Sequence, residues 1–271
     1  MKKVFICLIV IFASNGCSVD SDLKKIEKDK APSGIPLDVM AVPDAIPRYE
    51  KRTRAGNAPQ YTVLGKQYRV LPDSYDYQVQ GVASWYGEKF HGRKTANGEV
   101  YDMYAMTAAH KTLPIPSYVQ VTNLNNQRSI IVRINDRGPF HKNRIIDLSY
   151  TAAVKLGLQQ AGTGFVKVTA INDFDGENGQ QTITKKPVDV MSMQVYLQVG
   201  AFSDEGNAKK LQKKLLSDGM KNIRVQLGEK LKKMIYKVQV GPLFSVREAD
   251  QASEKLALLD YMDIQLIVEK K

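Results

Sequence analysis

Cysteine is nearly absent from the sequence: its two copies, Cys7 and Cys17, both lie among the first seventeen of 271 residues. Internal disulfides are therefore excluded for the rest of the chain. The sequence also lacks any run of about 18 or more apolar residues, which excludes a membrane-spanning helix. With 43% hydrophobic and 25% charged residues, the composition is that of a globular protein of one or two domains.

Histidine is scarce as well, and His91, His110 and His141 have no metal-binding spacing such as HExxH. We therefore predict no metal site and no cofactor. Acidic residues are outnumbered, with 28 Asp and Glu against 39 Lys and Arg, so the net charge is +11. A chain this basic tends to bind a polyanion such as nucleic acid, anionic lipid or an acidic cell-wall polymer, and charge alone does not choose among them.

The first sixteen residues have the pattern of an export signal. Two lysines precede an apolar run over residues 4–13, and small or polar residues follow up to Gly16. This run is too short to span a membrane and is typical of a cleaved signal peptide. Export conflicts with a nucleic-acid partner, so we expect none.

The cysteine that follows Gly16 resembles the processing site of a bacterial lipoprotein. The resemblance implies that Cys17 becomes the lipidated first residue and binds the protein to a membrane. Ser18, which is not Asp, implies sorting to the outer membrane. Ser14 departs from the family pattern, which usually has Leu there, and the alternative is a plain secretory signal with a chance cysteine.

Composition shifts divide the exported chain into segments. Residues 17–60 are rich in Lys, Asp, Pro, Ala and Gly without periodicity, which predicts a flexible tether. Short β-rich runs broken by Gly, Asn and Pro predict a small, mostly β domain over 61–173, with an N-terminal extension at 61–78. Residues 174–192 are again polar and predict a linker before a second domain at 193–271.

The second domain contains an internal repeat. The run VYLQVGAFSDEGNAKKLQKKL from Val195 aligns with IYKVQVGPLFSVREADQASEKL from Ile235, and each strand-like run leads into a helical pattern. With a strand after each helix, this predicts a ferredoxin-like βαββαβ fold with both helices on one face of the sheet. Alternation then leaves Tyr196, Gln198 and Gln239 on the bare face, where amides suit uncharged, hydroxyl-rich ligands such as glycans.

The first of these runs resembles the signature of the sporulation-related repeat, or SPOR, domain over residues 193–269. This resemblance implies binding to peptidoglycan glycan strands stripped of stem peptides, which are concentrated at division septa. Matched by position, Gln198, Gly200, Phe202 and Gln239 are the residues expected nearest the ligand. The alternative is a ferredoxin-like module whose glutamines only solvate the sheet.

The central segment resembles the six-stranded double-psi β-barrel of the rare lipoprotein A family over residues 79–173. The matching motifs are GVASWYGEKFHGRKTANGEVYDMYAMTAAHKTLP, VRINDRGPF and RIIDLSYTAAVKLG, in that order. Relatives of this barrel include expansins and one class of lytic transglycosylase, so the resemblance implies a polysaccharide groove. The fold class is thus mostly β plus α+β.

Four carboxylates lie in these motifs: Glu99, Asp102, Asp136 and Asp147. Asp136, at a strand end before a Gly-Pro turn, is the family-matched general acid and then base, since a lytic transglycosylase needs only one such group. Glu99 and His110 match other positions linked to activity, and we expect them to position substrate and to hydrogen-bond Asp136. The alternatives are a turn-forming Asp136, a surface Glu99 after an Asn-Gly turn and a buried, hydrogen-bonded His110.

Two further pairs are candidate sugar contacts. Trp85 and Tyr86 could stack on sugar rings, although strand alternation predicts that one of them is in the core. Arg133 and Arg137 could bind the lactyl carboxylates of muramic acid, the alternative being solvated arginines.

Together these features predict a lipid-anchored lytic transglycosylase of the outer membrane, facing the periplasm. It would cleave denuded glycan at the septum and give 1,6-anhydromuramyl ends, with division-site proteins as further candidate partners. The alternative is a non-catalytic septal lipoprotein that binds peptidoglycan.

Overall fold

The computed structural model describes residues 30–33, 38–141, 143–172, 193–230 and 233–270. The predicted signal peptide, Cys17 and the linker at 174–192 lie outside the described residues. Within the described ranges, no helix is both long and apolar enough to cross a membrane.

The first domain is a closed six-stranded barrel with strand order β3-β7-β4-β6-β5-β8, as predicted. A two-stranded hairpin, β1–β2, precedes it. The pairs β3–β7 and β4–β6 are parallel, and the other barrel pairs are antiparallel. The elements are β1 Gln60–Val63, β2 Lys66–Arg69, β3 Gln78–Trp85, β4 Thr107–His110, β5 Ser117–Asn123, β6 Ser129–Asp136, β7 Arg144–Leu148, α1 Tyr150–Leu156 and β8 Thr163–Ile171.

The barrel interior is filled by the inward side of each alternating strand. Val119 and Val121 of β5 and Val132 and Ile134 of β6 are fully buried in one apolar cluster. A smaller cluster on the outside includes Phe165 and packs against the second domain. The barrel is therefore a packed core, and room for a ligand exists only at its ends and sides.

The second domain is a four-stranded antiparallel sheet with two helices on one face, which confirms the predicted βαββαβ order. Its strand order is β10-β11-β9-β12. Leu197, Leu215, Val238 and Leu256 form the core between helices and sheet. The elements are β9 Met193–Phe202, α2 Glu205–Ser217, β10 Ile223–Lys230, β11 Lys233–Leu243, α3 Val246–Leu258 and β12 Gln265–Lys270.

A β-bulge in β9 changes which residues face the bare side of this sheet. Gln198 pairs with Gln239 and Gly200 with Val238, so Val199 is an extra residue on β9. After the bulge, Gly200 and Phe202 lie on the helix-facing side. A Cβ on Gly200 would come within 2.9 Å of the Phe202 ring. Gly200 and Phe202 therefore do not lie on the bare face beside Gln198, and their place nearest a ligand stays a prediction.

The segment before the barrel is packed against it. Residues 38–59 were expected to belong to a flexible tether, but the Ala45 N–H donates to the Ile131 carbonyl at 3.1 Å and the Thr53 N–H to the Ile115 carbonyl at 3.0 Å. The Lys30 carbonyl accepts from the Glu88 N–H at 3.1 Å. We call residues 30–33 and 38–59 the strap. The tether prediction is wrong over these residues, because the barrel supplies partners for their backbone groups.

Candidate active site

A pocket of about 740 Å³ opens at one end of the barrel. Its walls are the end of β3, the loop after β6 and the start of β7. The lining residues are Ser84, Trp85, Tyr86, Phe90, Ala109, Asp136, Arg137, Gly138, Pro139, Phe140, His141, Arg144, Asp147, Gly162 and Thr163. Four of the predicted site residues, Asp136, Trp85, Tyr86 and Arg137, line this pocket.

Two carboxylates flank the small residue Ala109. Strand β4 lies between β6 and β7, and Ala109 pairs with Asp136 on one side and Asp147 on the other. Neighbouring strands lie about 4.8 Å apart, so the two aspartate backbones are about 10 Å apart with only a methyl group between them. Sequence reasoning noted Asp147 as a motif carboxylate but gave it no role. The available signal was an Asp between the apolar residues Ile146 and Leu148 of the strand RIIDL.

Asp136 is fixed by backbone donors. Its Oδ1 accepts from the Ala96 N–H and the Arg137 N–H, each at 2.8 Å. Burial raises the pKa of Asp136, and these two hydrogen bonds together with the Arg137 charge only partly offset that rise. The group therefore keeps its proton to a higher pH than an exposed aspartate does.

Asp147 is fixed by side chains instead. The Ser84 hydroxyl donates to Asp147 Oδ1, and Arg144 Nη1 donates to the Ser84 oxygen at 2.8 Å. Arg144 Nη1 also lies 4.0 Å from Asp147 Oδ1. Burial again raises the pKa of the carboxyl, against the Ser84 hydrogen bond and the Arg144 charge. The pocket thus contains two carboxyls with raised pKa values.

Aromatic rings form much of the remaining wall. Trp85 is half-buried and meets the Tyr150 ring edge-on at 5.8 Å, while Tyr86 is only 8% exposed and stacks on Tyr101 at 4.1 Å. Burial, then the neighbouring Tyr101, Asp136 and Asp147, raise the pKa of Tyr86 well above its ordinary value. Tyr86 is the core member of the pair, although both residues line the pocket.

His110 does not hydrogen-bond Asp136. Its Nδ1 accepts from the Thr112 N–H at 3.1 Å and the Leu113 N–H at 2.9 Å, so its Nε2 donates to the Tyr77 hydroxyl at 2.8 Å. Burial and, to a smaller extent, the charges of Arg137 and Lys111 together lower the pKa of His110 to about 3. His110 is therefore neutral, and the predicted bond to Asp136 is wrong.

Glu99 also has partners other than Asp136. It is an exposed residue, and its Oε2 accepts from Arg133 Nη1 at 2.8 Å and from Asn135 Nδ2 at 2.9 Å. Burial would raise the pKa of Glu99, but these hydrogen bonds outweigh it and the pKa is lowered. Arg133 is bound in turn by Glu50 of the strap through two bonds of 2.8 Å. The predicted bond between Glu99 and Asp136 is wrong, and Arg133 is paired with glutamates.

Arg137 is committed to protein oxygens. Its Nε donates to the Gly56 carbonyl at 2.7 Å, its Nη1 to the carbonyls of His110 at 3.0 Å and Leu113 at 2.6 Å, and its Nη2 to Asn57 Oδ1 at 3.1 Å. Four of its five N–H donors are thus used. Arg137 joins the strap to the barrel, which makes it a structural clamp and contradicts the predicted role in binding a sugar carboxylate.

The bare face of the second domain is less open than predicted. Gln239 is fully buried, accepting from Arg224 Nε at 2.8 Å and donating to Glu269 Oε1 at 3.1 Å. The Arg224 guanidinium lies 3.4 Å from the centroid of the Tyr196 ring. Gln239 and Tyr196 are therefore part of a covered polar network, while Gln198 stays partly exposed.

Within the residues that the structure describes, no three His, Cys, Asp or Glu side chains come together as a metal site would require. The absence of a metal or cofactor stays a prediction.

Comparisons with known proteins match both domains. A family model described as "Lytic transglycolase" matches residues 78–169, and one described as "SPOR domain" matches residues 194–264. Three relatives are each named "Endolytic peptidoglycan transglycosylase RlpA". That of Pseudomonas aeruginosa is 36% identical over 291 residues, covering 89% of this chain and 84% of the relative. That of Neisseria meningitidis serogroup A is 41% identical over 77% of this chain and 83% of the relative. That of Vibrio cholerae is 50% identical over 63% of this chain and 64% of the relative.

The fold and the matched models define a double-psi β-barrel of the lytic transglycosylase type joined to a SPOR domain. The alignments extend through most of the chain and of two of these relatives. The chain belongs to the RlpA family of endolytic peptidoglycan transglycosylases.

Proposed function

We propose that the chain is a lytic transglycosylase that cleaves peptidoglycan glycan strands lacking stem peptides and leaves 1,6-anhydromuramyl ends. The observation that supports this most is the pair of partly buried carboxyls, Asp136 and Asp147, in one aromatic-lined pocket. Cleavage of a glycosidic bond needs a proton donor at the leaving oxygen and a negative group near the developing positive charge. A raised pKa at Asp136 favours the first of these roles.

The proposed reaction needs no water. Protonated Asp136 donates its proton to the glycosidic oxygen while the bond from that oxygen to C1 of muramic acid breaks. The Asp147 carboxylate stabilises the oxocarbenium-like charge on the ring. The 6-hydroxyl of the same muramic acid then attacks C1, and its proton returns to Asp136, which restores the enzyme.

Glu99 and His110 act as positioning residues in this proposal. The Glu99 side chain holds Asn135, the residue before Asp136. The backbone carbonyl of Glu99 also accepts from the Thr95 N–H at 2.8 Å. This bond closes the turn from which the Ala96 N–H donates to Asp136. His110 orders its own loop by accepting two backbone N–H groups. Trp85 and Tyr86 contribute sugar contacts from the pocket wall.

The SPOR domain brings the enzyme to its substrate. We assign it binding to denuded glycan, with the partly exposed Gln198 in contact, and thereby enrichment at the division septum and access to division-site proteins. Cys17 is the proposed lipidation site that retains the protein at the outer membrane, facing the periplasm. Cys17→Ser should then move the protein from the membrane fraction to the soluble fraction; unchanged partitioning would refute the anchor.

One experiment tests catalysis directly. The exported chain, from residue 18 onward, is incubated with amidase-treated peptidoglycan, and the soluble products are analysed by mass spectrometry. Anhydro-ended strands support the proposal. Their absence, with the chain still pelleting with the glycan, supports a non-catalytic binding protein instead.

A matched control keeps the test specific to the pocket. Asp102 belongs to the same motif as Glu99, but its side chain is 55% exposed and it does not line the pocket. Asp102→Asn should release products at the parent rate, whereas Asp136→Asn should release almost none.

A further inference from the structure

A second cavity of about 550 Å³ lies beside the proposed active site. The strap and the start of the β1–β2 hairpin form most of it. The lining residues are Arg54, Gly56, Asn57, Ala58, Pro59, Tyr61 and Arg137. Only Arg137 belongs to the segment that the barrel family model matches, because that match begins at residue 78.

The second cavity adjoins the first. Arg137 lines both. Phe140, in the wall of the first pocket, lies 6.3 Å from the Tyr61 ring and 5.6 Å from the Tyr68 ring between ring centroids. One aromatic cluster therefore runs from the pocket of the two aspartates to the second cavity.

The cavity walls are held in place before any ligand binds. The Tyr61 hydroxyl donates to the Lys111 carbonyl at 2.7 Å, and its ring stacks on Tyr68 at 5.2 Å with 20° between the planes. The Asn57 side chain donates to the Thr53 carbonyl at 2.8 Å and accepts from the Ile115 N–H at 2.9 Å. A rigid cavity of this kind loses little entropy when it binds.

The charge of the cavity favours an anion. Its lining contains two arginines and no carboxylate. The hydrogen bonds of Arg137 all go to uncharged oxygens, and Arg54 is exposed at the rim. An exposed guanidinium can bind a carboxylate through two parallel hydrogen bonds.

We propose that this cavity is a second glycan subsite, which binds the next muramic acid of the strand through its lactyl carboxylate at Arg54 and its sugar ring at Tyr61. The inference rests on the proposed function, since it requires a muramic acid strand in the first pocket. It gives the strap a direct part in substrate binding. It also makes affinity depend on the length of the glycan and on its carboxylates.

Tryptophan fluorescence reports binding to the barrel separately from binding to the SPOR domain. Trp85 is the one tryptophan of the sequence, and it lines the first pocket. The exported chain with Asp136→Asn, which prevents turnover, is titrated with a single denuded disaccharide, with a denuded strand of four disaccharides, and with an N-acetylglucosamine oligomer that has no carboxylate.

Arg54→Gln should weaken binding of the four-disaccharide strand about 10-fold, the size expected for one lost charge-assisted contact. Binding of the disaccharide and of the neutral oligomer should not change. Tyr61→Ala should weaken both long ligands, and Tyr61→Phe should weaken neither. Arg69→Gln is the matched control, because Arg69 is exposed on the same hairpin and does not line the cavity.

The outcomes separate this proposal from the proposed function. Equal binding of the long strand by Arg54→Gln and Arg69→Gln overturns the subsite, whatever the turnover of the parent chain. A length-dependent loss in Arg54→Gln supports the subsite even if the parent chain forms no anhydro ends, which would refute only the catalysis. No Trp85 response to any glycan overturns both.

Discussion

Asp136 and Asp147 are the strand neighbours of one residue, Ala109, so that two partly buried carboxyls line the same pocket. The two aspartates are not close in sequence, and strand pairing alone brings them together. The two strands that contain them pair with opposite edges of β4, one parallel and one antiparallel. The chemistry of the site is therefore a product of the barrel topology.

Replacement of Asp136 should separate activity from stability. Asp136→Asn keeps an oxygen for the two backbone donors but removes the transferable proton, so product formation should fall by about 10²- to 10⁴-fold. Because the folded pKa of Asp136 is raised, its ionisation lowers stability as pH rises through the window between its ordinary and its folded pKa. The Asn variant should therefore melt at the same or a higher temperature at pH 7. Product formation at the parent rate would transfer the role of general acid to Asp147.

The ion pair between the strap and the barrel should give a pH-dependent stability. The Arg133 hydrogen bonds hold the pKa of Glu50 below its ordinary value, against burial. The resulting stabilisation is present above the ordinary pKa and is lost as pH falls through the folded pKa. Glu50→Gln should lower the unfolding free energy by about 2 kcal/mol at pH 7, and by progressively less as pH falls through the folded pKa of Glu50. Urea unfolding at several pH values measures this, with the exposed Glu254→Gln as control.

Arg137→Lys distinguishes a structural clamp from a sugar ligand. Lysine keeps the positive charge but cannot reproduce the forked hydrogen bonds to Gly56, Leu113 and Asn57. We expect the unfolding free energy to fall by roughly 2–4 kcal/mol. Denaturant unfolding of Arg137→Lys and of the exposed Arg69→Lys should differ by that amount, and equal stabilities would show that the clamp contributes nothing.

The two glutamines of the SPOR sheet should behave differently. Gln239→Ala removes the hydrogen bonds that Gln239 makes to Arg224 Nε and Glu269 Oε1, although the ion pair between Arg224 and Glu269 remains, and it should lower stability by about 1–3 kcal/mol. Gln198→Ala, at a partly exposed position, should leave stability unchanged and reduce pelleting with denuded glycan. Thermal unfolding and a pelleting assay on both variants measure this, and a stable Gln239→Ala variant would contradict the assigned network.

Both folds could be predicted from the sequence because their motifs occur in the order of the families they resemble, and because central strands of the second domain alternate apolar and polar residues. Alternation also correctly placed Leu197 and Val238 under the helices. It failed after Val199, because a bulge is defined by pairing with β11 and leaves no mark in the hydrophobic pattern. Continued to Gly200, the same alternation would place that residue on the bare face, whereas the bulge turns it toward the helices.

The strap could not be predicted for a related reason. Residues 38–59 pack through backbone hydrogen bonds and through the Glu50–Arg133 pair, and these partners are distant in sequence. A segment held in this way needs no apolar periodicity, so its composition is that of a linker. The partners of His110 were missed because two of them are backbone N–H groups, which no residue pattern reveals.

If Cys17 carries the proposed lipid, the strap also limits the distance between the membrane and the barrel. With the proposed lipid on Cys17, the extended chain from Cys17 to Lys30 spans at most roughly 45 Å, and the Lys30 carbonyl accepts from the Glu88 N–H. A tether continuing to residue 60 would allow roughly 150 Å. With the shorter tether, the proposed enzyme reaches only glycan that lies close to the membrane that holds its lipid.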